Sequence, residues 1–495
     1  MASEGFVFSE VKVGASLAPA GEGRGAKDPF HLLLIGNFRG SHPDTSAPLG
    51  KPIVVDRDNF YELPGQLGTR IDGMLASSDG QTESISFEEL EDFEPDRLFE
   101  RLALFENLRT LRRRLKNPKL FEAAAAEVLA WEKVAWDKGA GGQGSAEDPS
   151  PPPEMRAEYS TAELFENVLT ESADAERSPL ESGNWNRLIQ NIVSESKVQR
   201  IDPREESLVA LVDQAIEGTM RQLLHGPAFR SLETTWLGLQ MMVRRVETHA
   251  KLKIHIVDIS SERFREALDS DDIAQTELGK LILAPSQTPG ATPWAVVGAL
   301  FPFSTSEEDL RAVHRFGALA SAAGAAGLVE IGGSQKFWLD PDQVEATPWG
   351  QLRQQPAAKS LAAIWPRFLS RLPYGRKTRP TERFVFEEIP PGSPPRLVWG
   401  SPVWLGAVAL AEAFNTRGWD MQSGIVHQIE ELPLYYIDTD DAEIHPCGQY
   451  LLSDTELEKI AAQGLTPVVS FKNQDRIQLR GIQSIRGGKL SGPWE

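Results

Sequence analysis

The sequence predicts an α/β protein of mixed (α+β) character, whose sheets are flanked by helices, and two stretches support this prediction. In residues 223–259, apolar residues first recur at helical spacing, and Leu252, Ile254 and Ile256 then alternate with their neighbours as in a strand. In residues 294–331, a buried strand is followed by a helix and a second buried strand. This order is typical of parallel α/β units.

Local patterns predict the elements of the first part of the chain. A strand is expected where apolar and polar residues alternate, and a helix where apolar residues recur every three or four positions. Pro95 and Asp96 agree with a helix start, because both are favoured in a first helical turn. The predicted strands cover residues 6–13, 30–37, 53–56 and 84–87, and the predicted helices cover residues 95–115 and 118–136.

Residues 138–158 are rich in Gly, Ser and Pro and almost lack apolar side chains, which is the composition of a flexible linker. We therefore expect two separately folding units, residues 1–137 and residues 159–495, joined by this tether. The helices predicted in the second unit cover residues 160–169, 185–192, 202–224, 264–268, 278–283, 304–324, 399–417 and 454–463.

Charge and composition argue against several classes of partner. A net charge of −20 and a pI of about 5.0 disfavour nucleic acid and anionic membranes, which bind clustered Lys and Arg. The single cysteine, Cys447, cannot form an internal disulfide, which indicates a reducing compartment. The N-terminus lacks the basic and apolar regions of a secretory signal, and no apolar run approaches the roughly 20 residues of a membrane helix. We expect a soluble cytoplasmic protein.

The sequence contains no motif for catalysis, cofactor binding or metal binding. The eight histidines are scattered without metal-ligand spacing, and no phosphate-binding loop, dinucleotide fingerprint or nucleophile elbow occurs. A turn follows Ile331, but no Lys-Ser/Thr pair follows it in register. His445 and Cys447 could share one face of a strand, and residues 438–443 form an acidic loop, yet both lack the further groups that catalysis or calcium binding requires. We therefore predict a protein that is not an enzyme.

An arginine-rich segment, residues 371–383, is unusual in this acidic chain. It could bind a nucleotide or a phosphate, or it could contact an acidic surface on a neighbouring copy. The second interpretation is more economical in a chain of this net charge. Its candidate contacts are Arg371, Arg376, Lys377 and Arg379.

Long motifs in a fixed order resemble the two sheath subunits of the type VI secretion system. From about Trp185 to Ser484, the resemblance is to the large subunit, and the motifs that carry it include LLHGPAFRSLETTWLGLQMMV, LKIHIVDIS, AIWPRFLSRLPYGRKTRPTERFVFEE and WGSPVWLGAVALAEAFNTRGW. Before the linker, FHLLLIGNFRG, DRDNF and ISFEELEDFEPDRLFERLALFENLRTLRRRL resemble the small subunit. The chain thus resembles a fusion of small and large subunit, and a tether raises the effective concentration of the pair.

This resemblance implies a phage-tail-sheath-like heterodimer fold in a single chain, and a structural role in a contractile sheath around an inner tube. The implied partners are copies of the chain or other sheath subunits, the inner tube protein, baseplate proteins and the AAA+ unfoldase that recycles sheaths. Sheath subunits are linked by strands donated into neighbouring sheets. The candidate donated strand contains Phe6, Val7, Phe8, Val11 and Val13.

The large subunit of the family is expected to continue well beyond the QS motif, whereas this sequence ends at Glu495. Two alternatives follow from this expectation. Another chain could supply the remaining strands of the lattice. Alternatively, the protein could be a non-polymerising adaptor, cap or regulator at the baseplate or the end of the sheath.

Overall fold

The structure is a computed structural model that describes residues 8, 28–41, 47–76, 82–139, 204–332, 344, 347–436 and 444–495. The strands of these described residues are β1 (Phe30–Gly36), β2 (Ile53–Val55), β3 (Thr69–Ala76), β4 (Thr82–Phe87), β5 (Leu252–Asp258), β6 (Trp294–Phe303), β7 (Ala326–Ile331), β8 (Leu361–Trp365), β9 (Phe368–Arg371), β10 (Val398–Gly400), β11 (Val426–Ile429), β12 (Tyr435–Tyr436), β13 (Ile444–His445), β14 (Leu465–Ser470) and β15 (Ile477–Arg480). Their helices are α1 (Leu63–Leu67), α2 (Pro95–Arg101), α3 (Ala103–Leu115), α4 (Phe121–Gly139), α5 (Arg204–Leu224), α6 (Pro227–Arg245), α7 (Ser261–Asp269), α8 (Glu277–Gln287), α9 (Glu307–Ala322), α10 (Pro348–Gln354), α11 (Val403–Arg417) and α12 (Asp454–Ala462).

Nine strands form one mixed sheet in the order β11-β15-β14-β8-β7-β6-β1-β5-β2. The six strands from β14 to β5 are parallel to one another. Antiparallel strands complete the two edges, with β2 on one side and β15 and β11 on the other. Helices cover the sheet, so the predicted α/β fold with mixed sheets is confirmed.

Strand β1 joins the two halves of the chain in one sheet. It is hydrogen-bonded to β5 on one side and to β6 on the other, so that Leu34 lies opposite both Ile256 and Gly298. Its sequence FHLLLIG is a continuous apolar run, as expected for a parallel strand that is buried on both faces. The hypothesis of two separately folding units is therefore wrong in this respect, because the first half contributes a central strand to the sheet of the second.

Alternate side chains of β1 point into two different cores. Leu32 and Leu34 pack into a core formed with helices α2 to α6 and α11. Leu33 and Ile35 pack into a second core on the other face, formed with α7 to α10 and α12. All four side chains are fully buried, and each such burial stabilises the fold by about 1.5–3 kcal/mol.

Helix α6 and strand β5 confirm the helix-to-strand prediction for residues 223–259. The indole nitrogen of Trp236 donates a hydrogen bond to the carbonyl oxygen of Phe38, 3.0 Å away, and so ties α6 to the turn after β1. On the same helix, Gly238 faces the indole of Trp404 on α11. A Cβ atom at position 238 would lie 2.1 Å from the indole nitrogen, so only glycine permits this helix crossing.

The predicted helix over residues 95–115 is wrong in one detail, because α2 and α3 are separated at Leu102. This buried residue has extended dihedral angles, φ −78° and ψ 131°. The break brings the rings of Phe99 and Phe105 to 5.7 Å from each other. In a continuous helix, residues six positions apart would point in directions about 120° apart and could not meet in this way.

The predicted helix over residues 399–417 begins later than expected, at Val403, because Trp399 belongs to the short strand β10. The helices predicted over residues 160–169 and 185–192 lie outside the described residues, as does the predicted linker beyond Gly139. That linker boundary stays a prediction. Among the helices that the structure describes, none is both long and apolar enough to cross a membrane.

Candidate assembly surfaces

Arg371 is the centre of a buried charge cluster that we call the Arg371 cluster. It also contains the carboxylates of Glu233 on α6 and Glu388, together with His225 and Tyr374. Nε of Arg371 donates to Glu233 at 2.6 Å, and Nη1 donates to Glu388 at 2.7 Å. The side chains of Arg371, Glu233 and Glu388 are 3%, 2% and 0% exposed. One arginine therefore bridges two carboxylates that have almost no access to water.

Further donors hold Glu388 in its charged form. The backbone N–H of Tyr374 donates to its carboxylate at 2.9 Å, and Nε2 of His225 lies 3.2 Å from it. Burial alone would raise the pKa of Glu388, but Arg371 and these hydrogen bonds lower it to about 2. Burial raises the pKa of Glu233 against the attraction of Arg371. The contacts of Glu388 thus favour its charged form, and the cost of burying the charges of this cluster is offset only while all partners are present.

The position of Arg371 corrects the prediction that it contacts a neighbouring copy. Its guanidinium is bound on both sides by carboxylates of its own chain and lies under the surface. The sequence also contains a pattern that indicates Glu233 as a buried partner, and sequence reasoning missed this pattern. Glu233 lies four residues after Phe229 and three before Trp236, which places a carboxylate on the buried face of α6.

The rest of the arginine-rich segment contacts the first half of the same chain. Arg379 forms an ion pair with Glu94 at 3.0 Å, and its guanidinium stacks over Tyr374 at 4.5 Å from the ring centroid. The carboxylate of Asp96 accepts hydrogen bonds from the backbone N–H groups of Glu382 and Arg383, at 2.8 and 3.0 Å. The predicted meeting of basic and acidic residues therefore occurs within one chain for Arg379. The ion pair between Arg379 and Glu94 joins the second half of the chain to the first.

Arg376 and Lys377 are both exposed, unlike Arg371. The backbone N–H of Arg376 donates to Glu387 at 3.1 Å, while its side chain faces solvent. These two residues are accessible to a neighbouring molecule, and their role in assembly stays a prediction.

The candidate donated strand lies mostly outside the described residues, which include none of Phe6, Val7, Val11 and Val13. Phe8 is described and half-buried. Its ring packs against His314 of α9 at a centroid distance of 4.8 Å, next to the second core. The strand donation itself stays a prediction.

Strands β2 and β11 form the two edges of the nine-stranded sheet. Val426 on β11 is 54% exposed, and Val54 on β2 is 38% exposed. An open sheet edge presents unpaired backbone groups that can bind a strand from another chain. Sequence reasoning missed β11, because its alternation spans only four residues.

Of the residues considered for catalysis or metal binding, the acidic loop at residues 438–443 lies outside the described residues, whereas Cys447 and His445 are described. Sγ of Cys447 is buried and lies 3.4 Å from the carbonyl oxygen of Gln474, and burial together with Asp475 raises the pKa of the thiol to about 12. The ring of His445 packs at a tilt against Trp399, with ring centroids 5.3 Å apart. Among the described residues, no group of three or more His, Cys, Asp and Glu side chains could hold a metal ion.

Comparison with known families identifies this fold. A family model described as EvpB/VC_A0108, tail sheath N-terminal domain, matches residues 206–486, which is more than half of the chain. The chain belongs to this tail sheath family. A second model, described as Type VI secretion system, VipA, VC_A0107 or Hcp2, matches residues 12–126. The predicted fusion of a small and a large sheath subunit is therefore confirmed, with the small-subunit part first.

A similar characterised protein is the type VI secretion system sheath protein TssC1 of Pseudomonas aeruginosa. The two sequences are 26% identical over 314 residues, which are 57% of this chain and 61% of the relative. The match thus spans less than two thirds of the relative. Together with the two family matches, it supports a structural role in a type VI secretion sheath.

Proposed function

We propose that this chain is a fused subunit of a contractile type VI secretion sheath, which assembles around an inner tube and drives protein translocation by contraction. The supporting observation is that small-subunit and large-subunit sequences occur in one chain and share one sheet through β1. A sheath subunit acts by assembly, so the proposal includes no catalytic role.

The proposed partners are copies of the chain or other sheath subunits, the inner tube protein, baseplate proteins and the AAA+ unfoldase. The proposed location is the cytoplasm. Contacts between copies would use the donated strand at residues 6–13 and an open sheet edge, because strand addition satisfies the backbone groups of both partners.

Negative-stain electron microscopy of the purified chain tests this proposal, both alone and mixed with sheath subunits and tube protein. Tubes or stacked rings are the expected result. A monodisperse protein under every condition would contradict the sheath role. If such a protein bound only to the ends of preformed sheaths, it would be an adaptor or cap instead.

Deletion of residues 1–13 tests the donated strand. We expect this variant to remain folded and to lose tubes, because the strand that links neighbouring copies is removed. Deletion of residues 1–5 is the matched control, since it leaves Phe6 and the alternating segment intact. Unchanged tubes after the longer deletion would show that another segment links the copies.

A further inference from the structure

A pocket of about 260 Å³ lies at the carboxyl ends of β6, β7 and β8, and we call it the Arg230 pocket. Pro302 lies near the end of β6, Glu330 lies near the end of β7, and Arg367 follows β8. Helices α6 and α11 complete the walls. The basic and hydroxyl side chains on these walls are Arg230, Ser231, Thr234 and Thr235 of α6 and Ser401, which precedes α11. The pocket is therefore built within the large-subunit part of the chain.

The topology of the sheet makes this position favourable for ligand binding. The parallel strands β5-β1-β6-β7-β8 have the spatial order 2-1-3-4-5 when they are counted along the chain. In open α/β sheets of this order, ligands bind outside the carboxyl ends of the strands, where the strand order reverses. Here the order reverses between β1 and β6, and Leu300 of the pocket packs against Gly36 at the end of β1. The pocket thus adjoins the position at which such sheets bind ligands.

Arg230 brings a positive charge to the pocket that no carboxylate contacts directly. Its Nη2 donates to the backbone carbonyl of Arg396 at 3.0 Å, and it forms no ion pair with a described carboxylate. Glu388 and Glu233 attract its charge from a distance, but both are bound to Arg371 instead. Burial lowers the pKa of Arg230, and the attraction of these carboxylates does not restore it. A bound anion would supply the missing counter-charge.

Arg367 provides further donors without changing the balance of charge. Its Nε donates to the buried carboxylate of Glu330, and its two terminal nitrogens donate to no acceptor among the described residues. The charged lining residues are two arginines and one glutamate, so the lining has one positive charge in excess. The whole chain is acidic, but exposed charges beyond the Debye length of about 8 Å are largely screened at physiological salt. The local excess therefore favours an anionic ligand.

Hydroxyl groups and a helix N-terminus add to this preference. Ser231 is exposed at the pocket, and its hydroxyl forms no hydrogen bond with a described residue. Oγ of Ser401 accepts from the backbone N–H of Val403 at 3.4 Å, so its O–H can still donate. The N-terminus of α11, which begins at Val403, carries partial positive charge. Guanidinium groups, hydroxyls and helix N-termini are the groups with which proteins bind phosphate.

We propose that the Arg230 pocket binds a small oxyanion, which is either inorganic phosphate or the phosphate group of a small phosphomonoester. The volume of the pocket is below the roughly 300–1,000 Å³ of pockets for drug-sized ligands, which agrees with a ligand of this size. This site is separate from the proposed sheath role. Binding can therefore be measured on the dispersed full chain, and the result does not depend on whether tubes form.

Isothermal titration calorimetry of the full chain with inorganic phosphate, at physiological salt, is the direct test. We expect saturable binding at one site per chain. A parallel titration with glycerol phosphate distinguishes the two sources of the phosphate group, because tighter binding of glycerol phosphate would identify a phosphomonoester and weaker binding would identify free phosphate. The absence of saturable binding of both compounds at millimolar concentrations would overturn the proposal.

Removal of the charge tests the role of Arg230. Arg230→Gln should weaken phosphate binding by at least about tenfold, because hydrogen bonds between charged groups contribute most to the affinity. Arg417→Gln is the matched control, since Arg417 is exposed at the other end of α11 and does not line the pocket. Unchanged affinity in Arg230→Gln, or an equal loss in both variants, would contradict the assignment of this site.

A second variant blocks the pocket and leaves every charge in place. Ser231→Phe should abolish phosphate binding, because the larger side chain occupies the space of the ligand. Ser321→Phe is its control, since Ser321 is exposed on α9, on the opposite face of the sheet. Retained binding in Ser231→Phe would show that phosphate binds elsewhere and would overturn the proposal. Thermal unfolding of each variant checks the fold, and if Arg230→Gln is misfolded, Ser231→Phe decides the outcome.

Discussion

Arg371→Leu is expected to be one of the most destabilising single substitutions in this protein. The substitution removes the guanidinium that contacts both Glu233 and Glu388. Leucine still fills part of the space of the apolar arginine stem. The two carboxylates would then be buried and close to each other without their counterion. Breaking a buried ion pair from one side costs about 3–5 kcal/mol. The tyrosine N–H and His225 still contact Glu388, so the cost should fall within this range and not exceed it.

The pH dependence of stability provides a second readout of the same cluster. The pKa of Glu388 is about 2 in the folded state, against an ordinary value of 4.5. A lowered folded-state pKa means that the stabilisation is present above pH 4.5 and is lost as the pH falls towards 2. The difference corresponds to about 3 kcal/mol. Without Arg371 this pKa rises, so the variant should lose less stability over that pH window than the parent chain.

Urea unfolding followed by tryptophan fluorescence, at neutral pH and at several values between pH 4.5 and 2, measures both effects. Arg376→Leu is the matched control. Arg376 is exposed in the same segment, and its loss should change the free energy of unfolding by less than about 0.5 kcal/mol. If Arg371→Leu were as stable as Arg376→Leu, or if the two had the same acid sensitivity, the reasoning about the cluster would be refuted.

Three further predictions concern helix packing in the core, a buried histidine and the association of the first and second halves of the chain. Gly238→Ala should destabilise the fold by about 3 kcal/mol, because its Cβ would collide with Trp404, whereas Gly50→Ala meets no atom within 4 Å and should be neutral in thermal unfolding. Among the described residues, none forms a hydrogen bond with either ring nitrogen of the buried His255, and burial, with the charges of nearby histidine and lysine, lowers its pKa from 6.5 to about 4. Because the unfolded state binds the proton first, stability should fall as the pH drops from 6.5 to 4, and His255→Phe should flatten that part of the urea-midpoint profile. Cleavage at a protease site engineered near residue 145 should leave the two fragments together in size-exclusion chromatography, since β1 lies between β5 and β6; separation into two peaks would contradict the shared sheet.

Elements with a strong local signal could be predicted from the sequence. The apolar period of α6 and the alternation in β5 defined both elements, and α9, capped by Ser306, lies within the helix predicted over residues 304–324. Local patterns describe which side of an element is apolar, but they do not name the element that covers it. The partners of β1 therefore could not be predicted, since they lie far away in the sequence. The break between α2 and α3 at Leu102 could not be predicted either, because no Pro or Gly lies at this position.

The candidate assembly residues show the same division. The excess of arginine in residues 371–383 was visible in the sequence, and so was its preference for acidic partners. Which carboxylates it meets depends on tertiary contacts, and these place Glu233 and Glu94 of the same chain beside Arg371 and Arg379. Charge composition predicts that a pair will form, whereas only the fold decides whether it forms within one molecule or between two.

The position of β1 also has a consequence for synthesis. The ribosome releases the apolar strand FHLLLIG long before β5 and β6, the two strands that flank it. During that interval the nascent chain exposes a segment that is prone to aggregation, and the central sheet must wait for contacts between distant parts of the sequence. Encoding both halves in one message ensures that every copy of this strand is followed by its own neighbours, in equal number and on the same ribosome.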